Sequence, residues 1–440
     1  MGDGVPQRQG DAGRQADRAL SAGWSAKAAR LGEEGQVAMR SGFAWGMAGA
    51  LGVCALAALT SAPAQAQSDP PIRIGQTLSL TGPFAQTGLA HQIASEIFVD
   101  RLNRSGGLLG RKVEYVVLDD QSKPDISRTL YERLVTADKV NLILGPYGTA
   151  AILAAMTVAQ RYHKVFIENT LGQPQLATYP WHFSATIGGP DSTSTLPVKV
   201  LDAYASTPHP PKNVMIVASK FPSAADMARG MERAVKARKM PLAGFLEYDA
   251  GTRDFGPLAA RIKDADPDFM FVACLGVEGD LLLEALNKIG YRPHRHFYLY
   301  PSGLLAANPL AEGATSYSGF EDVEPYIATK EGGEFARAFD ERAKKAGLPY
   351  PHVDSQAGNE YAGWQILIAG VKATGSLDDQ KIAEWLDKNS VETIEGKRDF
   401  SGRSHTSATD MQQLKQAQHG RWVVVWPSDR RTPGAELVAP

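Results

Sequence analysis

The sequence predicts an α/β protein built from two doubly wound, Rossmann-like lobes. The main observation is that short apolar strands alternate with segments of helical periodicity from Ile72 onward, and that this alternation starts again after residue 191. Strands separated by helices favour right-handed crossovers and a parallel sheet with helices on both faces. A chain of 440 residues, 43% of them hydrophobic, is long enough for two such cores.

The individual elements follow from this periodicity. In the first lobe, the predicted strands are IRIGQTLSL, KVEYVVLDD, NLILG and KVFIEN, with helices near residues 90–102, 126–135 and 150–162. In the second lobe, they are NVMIVAS, PLAGFLEY, PDFMFVACL and HFYLYPS, with helices near residues 224–237, 255–262 and 279–289. The helical segments at 335–346 and 359–373 fit neither lobe alone. We therefore expect the chain to cross between the lobes more than once and to leave a hinged cleft.

Residues 1–66 differ in composition from the rest. Residues 1–38 are rich in Gly, Ala, Arg and Gln, and they are interpreted as a disordered extension or as a stretch upstream of a start at Met39. Residues 39–66 have the layout of a signal peptide, with a basic start, the apolar run FAWGMAGALGVCALAAL and a small-residue box that ends at Ala66. An uncleaved membrane anchor and a lipid anchor on Cys54 are the alternatives. The box and the lack of a basic stop-transfer flank favour cleavage after Ala66 and export to the periplasm.

Composition and motifs argue against several classes of function. The formal net charge of -2 gives no broad basic field that would attract nucleic acid. Beyond the predicted signal peptide, Cys274 is the single cysteine and lies in the apolar run FMFVACL, so no internal disulfide is expected. The sequence has no GxSxG, HExxH, CxxC or Walker motif, and the HRH at residues 294–296 lacks an adjacent acidic or Cys ligand. We expect neither an enzyme nor a cofactor or metal site.

Candidate binding residues follow from the strand order. In open parallel sheets, ligands bind beyond the carboxyl ends of the strands. This rule selects Ser79, Thr81 and Phe84 in SLTGPFAQTG after the first strand, and GPYGTA after the third. In GPYGTA, Gly148 permits an unusual turn, and the nearby amides and the Thr149 hydroxyl can converge on a carboxylate. An ordinary helix N-cap formed by Thr149 explains the same residues equally well.

The motifs IRIGQTLSLTGPFAQTG, NRSGGLLGRKVEYVVLDDQSKP and LILGPYGTA occur in this order after a signal peptide. In this arrangement, residues 72–427 resemble the leucine/isoleucine/valine-binding type of periplasmic solute-binding proteins, the receptors of ABC importers. The resemblance implies the type I periplasmic binding protein fold, with three crossovers, a first lobe at 71–190 plus 325–395, and a second at 191–324 plus 396–430. It also implies a small-molecule ligand in the cleft, ABC permease subunits as partners, and a monomer. A periplasmic ligand sensor that signals rather than transports is the alternative.

The resemblance also assigns binding residues in the first lobe. In amino-acid receptors of this family, the loop after the third strand holds the ligand carboxylate by backbone amides and hydroxyls. Here Tyr147, Gly148 and Thr149 occupy that loop. Asn169 and Thr170 follow the fourth strand, where the family places a further hydroxyl, and the match to the family pattern is looser there.

In the second lobe the resemblance assigns one aromatic side chain and leaves open which group would pair with a ligand α-ammonium. Phe221 stands where the family has an aromatic residue at the start of a helix. The family's Glu beyond FYLYPSG, which pairs with the ligand α-ammonium, is replaced by Ser302. Glu278 can substitute for that Glu, or it can be a helix-start acid that faces solvent. The expected ligand is therefore an amino acid held by Glu278, or a carboxylate or amide compound without an ammonium group.

Overall fold

The structure of the protein is a computed structural model that describes residues 69–408 and 410–438. The predicted extension over 1–38, the predicted signal peptide over 39–66 and its cleavage site after Ala66 lie outside these residues. Within the described part of the chain, no helix combines the length and the apolarity that crossing a membrane requires.

The first lobe is built around a parallel sheet of five strands in the order β2-β1-β3-β4-β5. Most side chains of its first strand are buried, as expected for a parallel sheet with helices on both faces. The strands are β1 (Ile72–Leu78), β2 (Val113–Asp119), β3 (Leu142–Leu144), β4 (Phe166–Glu168) and β5 (His182–Ser184). The helices between them are α1 (Ala85–Arg104), α2 (Pro124–Thr136) and α3 (Thr149–Arg161).

The chain then enters the second lobe and repeats the same alternation. The strands are β6 (Val214–Ser219), β7 (Leu242–Tyr248), β8 (Phe269–Gly276), β9 (His296–Pro301) and β10 (Thr315–Ser318). The helices are α4 (Ser192–Ala205), α5 (Pro222–Ala237), α6 (Gly256–Ala265), α7 (Glu278–Lys288) and α8 (Leu304–Ala307).

After β10 the chain returns to the first lobe and then leaves it again. The returning segment contains α9 (Lys330–Ala346), α10 (Ser355–Thr374), α11 (Asp379–Leu386), and the hairpin of β11 (Val391–Thr393) and β12 (Gly396–Arg398). Helices α9 and α10 pack against α1. The last strands, β13 (Gln413–Gln418) and β14 (Arg421–Trp426), complete a second sheet in the order β14-β13-β10-β9-β8-β6-β7. Over the described residues the chain thus passes between the lobes three times, which confirms the predicted fold class.

Strand β8 shows how the second sheet buries both of its faces. All of its residues are buried, and successive side chains point to opposite faces of the sheet. Phe269, Phe271 and Ala273 belong to one apolar cluster, whereas Val272 and Cys274 belong to another. The apolar run FMFVACL is therefore a central strand between two layers of helices, and Cys274 is one of its buried side chains.

Candidate functional site

A cleft with about 630 Å³ of empty space, partly open to solvent, lies between the two lobes. Residues at the carboxyl ends of β3 and β4 form its wall on the side of the first lobe, and residues at the start of α5 and in the last positions of β8 and β9 contribute to the opposite wall. Further lining residues come from the connections between the lobes. Its lining residues include Tyr147, Gly148, Thr149, Thr170, Gly172, Gly188, Phe221, Ser223, Leu275, Tyr300, Tyr317, Gln356, Asn359 and Gln412.

Two threonine hydroxyls and the start of α3 form the wall of the first lobe. Gly148 precedes the helix with a φ of 86°, a conformation that favours glycine, and no atom lies within 4 Å of where its Cβ would be. The Gly148 N–H donates to Thr170 Oγ1 at 2.9 Å, and the Gly172 N–H donates to Thr149 Oγ1 at 3.0 Å. The Gly148 amide is thus engaged by Thr170 and is not available as a carboxylate donor. Each threonine hydroxyl accepts one bond and keeps its own hydrogen as a donor.

The loop after β4 is held in place by a buried carboxylate. Glu168 accepts hydrogen bonds from the N–H groups of Thr170 at 2.9 Å and Leu171 at 2.7 Å, and His182 Nε2 lies 3.3 Å from its other oxygen. Glu168 and His182 are both buried. Because the Glu168 carboxylate binds the backbone of Thr170 and Leu171, it fixes the position of the Thr170 side chain, which lines the cleft.

Three aromatic rings pack together where the lobes meet. Phe84 lies edge-on to Tyr147, with ring centroids 5.6 Å apart, and edge-on to Phe221 of the second lobe at 6.1 Å. Burial raises the pKa of the Tyr147 phenol, so this group is a neutral hydroxyl at physiological pH. Phe84 does not line the main cleft. Together with Phe221 and Leu275, it separates that cleft from a neighbouring cavity with about 730 Å³ of empty space.

Contacts across the cleft show that the lobes are closed. A Cβ built on Gly172 would lie 2.6 Å from Ser223 Cβ and 2.9 Å from the Tyr300 hydroxyl, both in the second lobe. Gln175 also donates to Asp226 of α5 at 3.2 Å. The loop after β4 therefore touches the opposite lobe so closely that only glycine fits at position 172.

Ser79 and Thr81, predicted to face the ligand, do not line the cleft. The Ser79 hydroxyl donates to Asp120 Oδ1 at 2.8 Å, and the Thr81 hydroxyl donates to Asp119 Oδ2 at 2.7 Å. Ser79 is buried and Thr81 is exposed at the surface. Both hydroxyls are used by acids at the end of the neighbouring strand β2, so they fix the loop after β1 and leave no donor for a ligand.

Glu278 also lies outside the main cleft, although it is buried. Its carboxylate accepts hydrogen bonds from the Tyr248 hydroxyl at 2.9 Å and from the N–H groups of Leu275 and Gly251, both at 3.0 Å. Glu278 begins α7 as expected, but it neither faces solvent nor lines the main cleft, where it was predicted as a possible substitute counter-charge. Glu278 joins the loops after β7 and β8 and borders the neighbouring cavity.

Asn169 and Ser302 have structural partners of their own. The Asn169 amide donates to Glu360, a buried carboxylate behind the cleft wall. The Ser302 hydroxyl donates to Asp280 Oδ2 at 3.2 Å and is buried in the second lobe. Of the residues predicted for the site, the cleft thus brings together Tyr147, Gly148, Thr149, Thr170 and Phe221.

Sequence reasoning did not select several polar lining residues. Tyr300 lies near the end of β9 and Ser223 at the start of α5, and the segments around them were predicted as strand and helix. Gln356 and Asn359 lie in the first two turns of α10, and Gln412 directly precedes β13. A rule that looks only at loops after parallel strands cannot find these three residues, because Gln356 and Asn359 lie on a helix of the returning segment and Gln412 lies in the connection before β13.

The cleft contains no charged side chain. Among its lining residues, all of which are described, there is no Asp, Glu, Lys, Arg or His. Hydroxyls, amides, aromatic rings and a few aliphatic side chains supply its chemistry. This arrangement binds a molecule through hydrogen bonds and apolar contact, and it has no general base to activate a hydroxyl as a nucleophile.

Two α/β lobes that close over a polar and aromatic cleft are typical of a bilobal ligand-binding protein. The chain belongs to the periplasmic binding protein family, whose model matches residues 71–420. Within it, the chain is a type I periplasmic binding protein of the Leu/Ile/Val-binding group, which confirms the resemblance found in the sequence.

Relatives within this family are distant in sequence and close in fold. The leucine-, isoleucine-, valine-, threonine-, and alanine-binding protein of Pseudomonas aeruginosa is 21% identical over 340 residues, which cover 75% of this chain and 85% of the relative. A solute-binding protein of an ABC transporter from R. palustris, solved with benzoate, has a TM-score of 0.69 at 18% identity and covers 84% of this chain and 99% of its own. LivJ from Streptococcus pneumoniae, solved with isoleucine, has a TM-score of 0.66 at 20% identity. The match covers 84% of this chain and 100% of LivJ.

Proposed function

We propose that this protein is the periplasmic substrate-binding component of an ABC importer, and that its ligand is a small carboxylate without an ammonium group. The observation that carries the proposal is the absence of charged side chains among the described residues that line the cleft. The signal-peptide layout of residues 39–66 and the family membership support the location and the transport role.

The wall of the first lobe suits a carboxylate. The hydroxyls of Thr149 and Thr170 keep their hydrogens for a ligand, and the positive end of the α3 dipole points at the same region. The first N–H groups of a helix also have no partner within the helix. Together these groups stabilise a negative oxygen without a Lys or Arg side chain.

The same cleft does not suit an α-ammonium group. A buried ammonium without a nearby carboxylate loses its hydration and gains no counter-charge, which costs several kcal/mol. Glu278, the candidate counter-charge, already accepts three hydrogen bonds and lies by the neighbouring cavity. The amino-acid alternative that the sequence left open is therefore the less favourable one.

The apolar part of the ligand would pack against aromatic side chains. Tyr147, Phe221, Tyr300 and Tyr317 line the cleft from both lobes. An aromatic ring gains burial and edge-to-face contacts among such side chains. The family contains a receptor solved with benzoate, so an aromatic carboxylate is compatible with this fold.

Closure would couple binding to transport. A ligand that touches Thr149 in the first lobe and Phe221 in the second makes its full set of contacts only when the lobes are together, so it shifts the hinge equilibrium towards the closed form. The permease would then distinguish the closed, loaded protein from the open, empty one.

The test is a thermal-shift and calorimetric comparison of benzoate with L-isoleucine and L-leucine on the purified protein. Ligand at 100 times its Kd stabilises the folded state by about 2.7 kcal/mol, so we expect benzoate to raise the Tm by several degrees. The amino acids should leave the Tm unchanged. Stabilisation by L-isoleucine without any by benzoate would contradict the proposed ligand class.

A further inference from the structure

Three buried amide side chains enter the cleft from the returning segment and from the connection before β13. Gln356 and Asn359 are three residues apart in the first two turns of α10 and so share one face of that helix. Gln412 lies in the segment before β13, and a Cβ built on Gly188 would be 3.7 Å from its Cδ. The three side chains are 9%, 4% and 7% exposed, and all of them line the cleft.

These amides lack the partners that buried polar groups normally have. Gln356 Oε1, Asn359 Oδ1 and Gln412 Oε1 are buried and have no hydrogen-bond partner among the residues that the structure describes. Most buried side-chain polar atoms in proteins have at least one partner, because an unpaired one destabilises the fold. Gln416, on β13, shows the usual case: its amide donates to the Gly313 carbonyl at 2.9 Å and accepts from the Val438 N–H at 2.9 Å.

The position and chemistry of the three amides indicate what would satisfy them. The unpaired atoms are three carbonyl oxygens, so they require hydrogen-bond donors. An amide presents both an acceptor and a donor, and a hydroxyl group can pair with either. The threonine hydroxyls and the α3 start, by contrast, enter the cleft from strand ends of the first lobe and offer donors.

We infer that Gln356, Asn359 and Gln412 form a second polar subsite, which binds hydroxyl groups on the ring of an aromatic carboxylate. This inference rests on the proposed function, since the carboxylate is assigned to Thr149 and Thr170. The protein is thus a receptor for hydroxylated aromatic carboxylates and discriminates against the unsubstituted acid. Without ring hydroxyls the three amides would stay unpaired in the closed cleft, and such unpaired groups are a strong source of selectivity.

The first experiment needs no variant. Calorimetric titration of the purified protein with benzoate, 4-hydroxybenzoate and 3,4-dihydroxybenzoate should give Kd values that fall as hydroxyls are added, with the dihydroxy acid binding at least about tenfold more tightly than benzoate. Equal affinities for the three acids would overturn the inference and leave carboxylate binding, and with it the proposed function, intact. If none of the three acids binds and L-isoleucine does, both the hydroxyl subsite and the proposed ligand class are contradicted.

The second experiment removes the amides one at a time with side chains of similar size, as Asn359→Leu and Gln412→Met. Each should reduce the preference for 3,4-dihydroxybenzoate over benzoate by about five- to tenfold and change the benzoate Kd by less than about threefold. Each should also keep or raise the Tm of the unliganded protein, because an unpaired buried group is removed. Gln416→Met is the matched control: it should lower the Tm and leave the preference unchanged. An unaltered preference in both cleft variants would overturn the subsite.

Discussion

The loops after β1 and β3 contain the same types of residue, but they use their hydroxyl groups in opposite ways. After β1, Ser79 and Thr81 donate their hydrogens to carboxylates of Asp120 and Asp119. After β3, Thr149 accepts from a backbone N–H, as does Thr170 in the adjacent loop, so both keep their hydrogens. The partner of a hydroxyl therefore decides whether its hydrogen is free for a ligand, as at Thr149, or is used within the fold, as at Ser79.

The partners differ because the neighbouring strands end differently. Strand β2 pairs with β1 and ends in two acids, Asp119 and Asp120, directly beside the loop after β1. Strand β4 lies beside β3 and ends at Glu168, whose carboxylate is occupied by backbone N–H groups of the loop that follows it. Asp119 and Asp120 thus take up the hydroxyl hydrogens of the loop after β1, whereas Glu168, at the end of β4, leaves the hydroxyl hydrogens of Thr149 and Thr170 free.

The largest effect is expected when the donors of the cleft are removed. Thr149→Val and Thr170→Val keep the shape of the side chain and delete the hydroxyl. A hydrogen bond to a charged group contributes about 1.5–3 kcal/mol, so each variant should weaken benzoate binding about 10- to 150-fold in calorimetric titration. Each variant will also lose some stability, because each hydroxyl accepts a hydrogen bond from a backbone N–H group. An affinity within twofold of the wild type in both variants would show that the carboxylate binds elsewhere.

An intermediate effect, on stability and not on binding, is expected at Ser79. Ser79→Ala removes a buried hydrogen bond to Asp120 and should lower the free energy of unfolding by about 1–3 kcal/mol, measured by urea denaturation. The benzoate Kd should change less than about threefold, since the hydroxyl does not line the cleft. A loss of affinity as large as that of Thr149→Val would mean that the two loops do not differ as described.

The two loops also show what could be predicted from the sequence. Long apolar runs such as those of β1 and β8 predicted the two lobes, and the strand-end rule found the loop with Tyr147, Gly148 and Thr149. Strands β5 and β10 were not predicted, because HFS and TSYS are short and partly polar, and their pairing depends on neighbours distant in the sequence.

Roles within the site were harder to predict than its position. A sequence pattern places Ser79 and Glu278 at strand ends, but it does not show that other groups already use their hydrogen bonds. In the same way, helical periodicity places Asn359 at the start of a helix over 359–373, without including Gln356 and without showing that the returning chain brings that helix to the cleft. Both depend on contacts between residues far apart in the chain, which local patterns do not contain.

The smallest expected effect is a difference in how Asp119 and Asp120, the two acids that hold the loop after β1, change the stability with pH. Burial acts to raise the pKa of Asp119, but hydrogen bonds, including that from the Thr81 hydroxyl, outweigh it and the pKa lies below its usual value. For Asp120, burial raises the pKa despite the bonds from Ser79 and Thr77. Asp119 therefore stabilises the fold above its unfolded pKa, and this contribution is lost as the pH falls through the folded pKa. The contribution of Asp120 is complete below its unfolded pKa and is lost as the pH rises to the folded one.

Urea denaturation between pH 3 and pH 7 measures how the free energy of unfolding changes with pH, and the two acids should change it in opposite directions. Relative to the wild type, Asp119→Asn should lose stability mainly at the neutral end of the range, and Asp120→Asn should lose less there than at the acidic end. Carboxyl NMR titration of the wild type is the direct control and should place the Asp119 pKa below that of Asp120. The reverse order would mean that the hydrogen bonds from Ser79 and Thr77 outweigh the burial of Asp120.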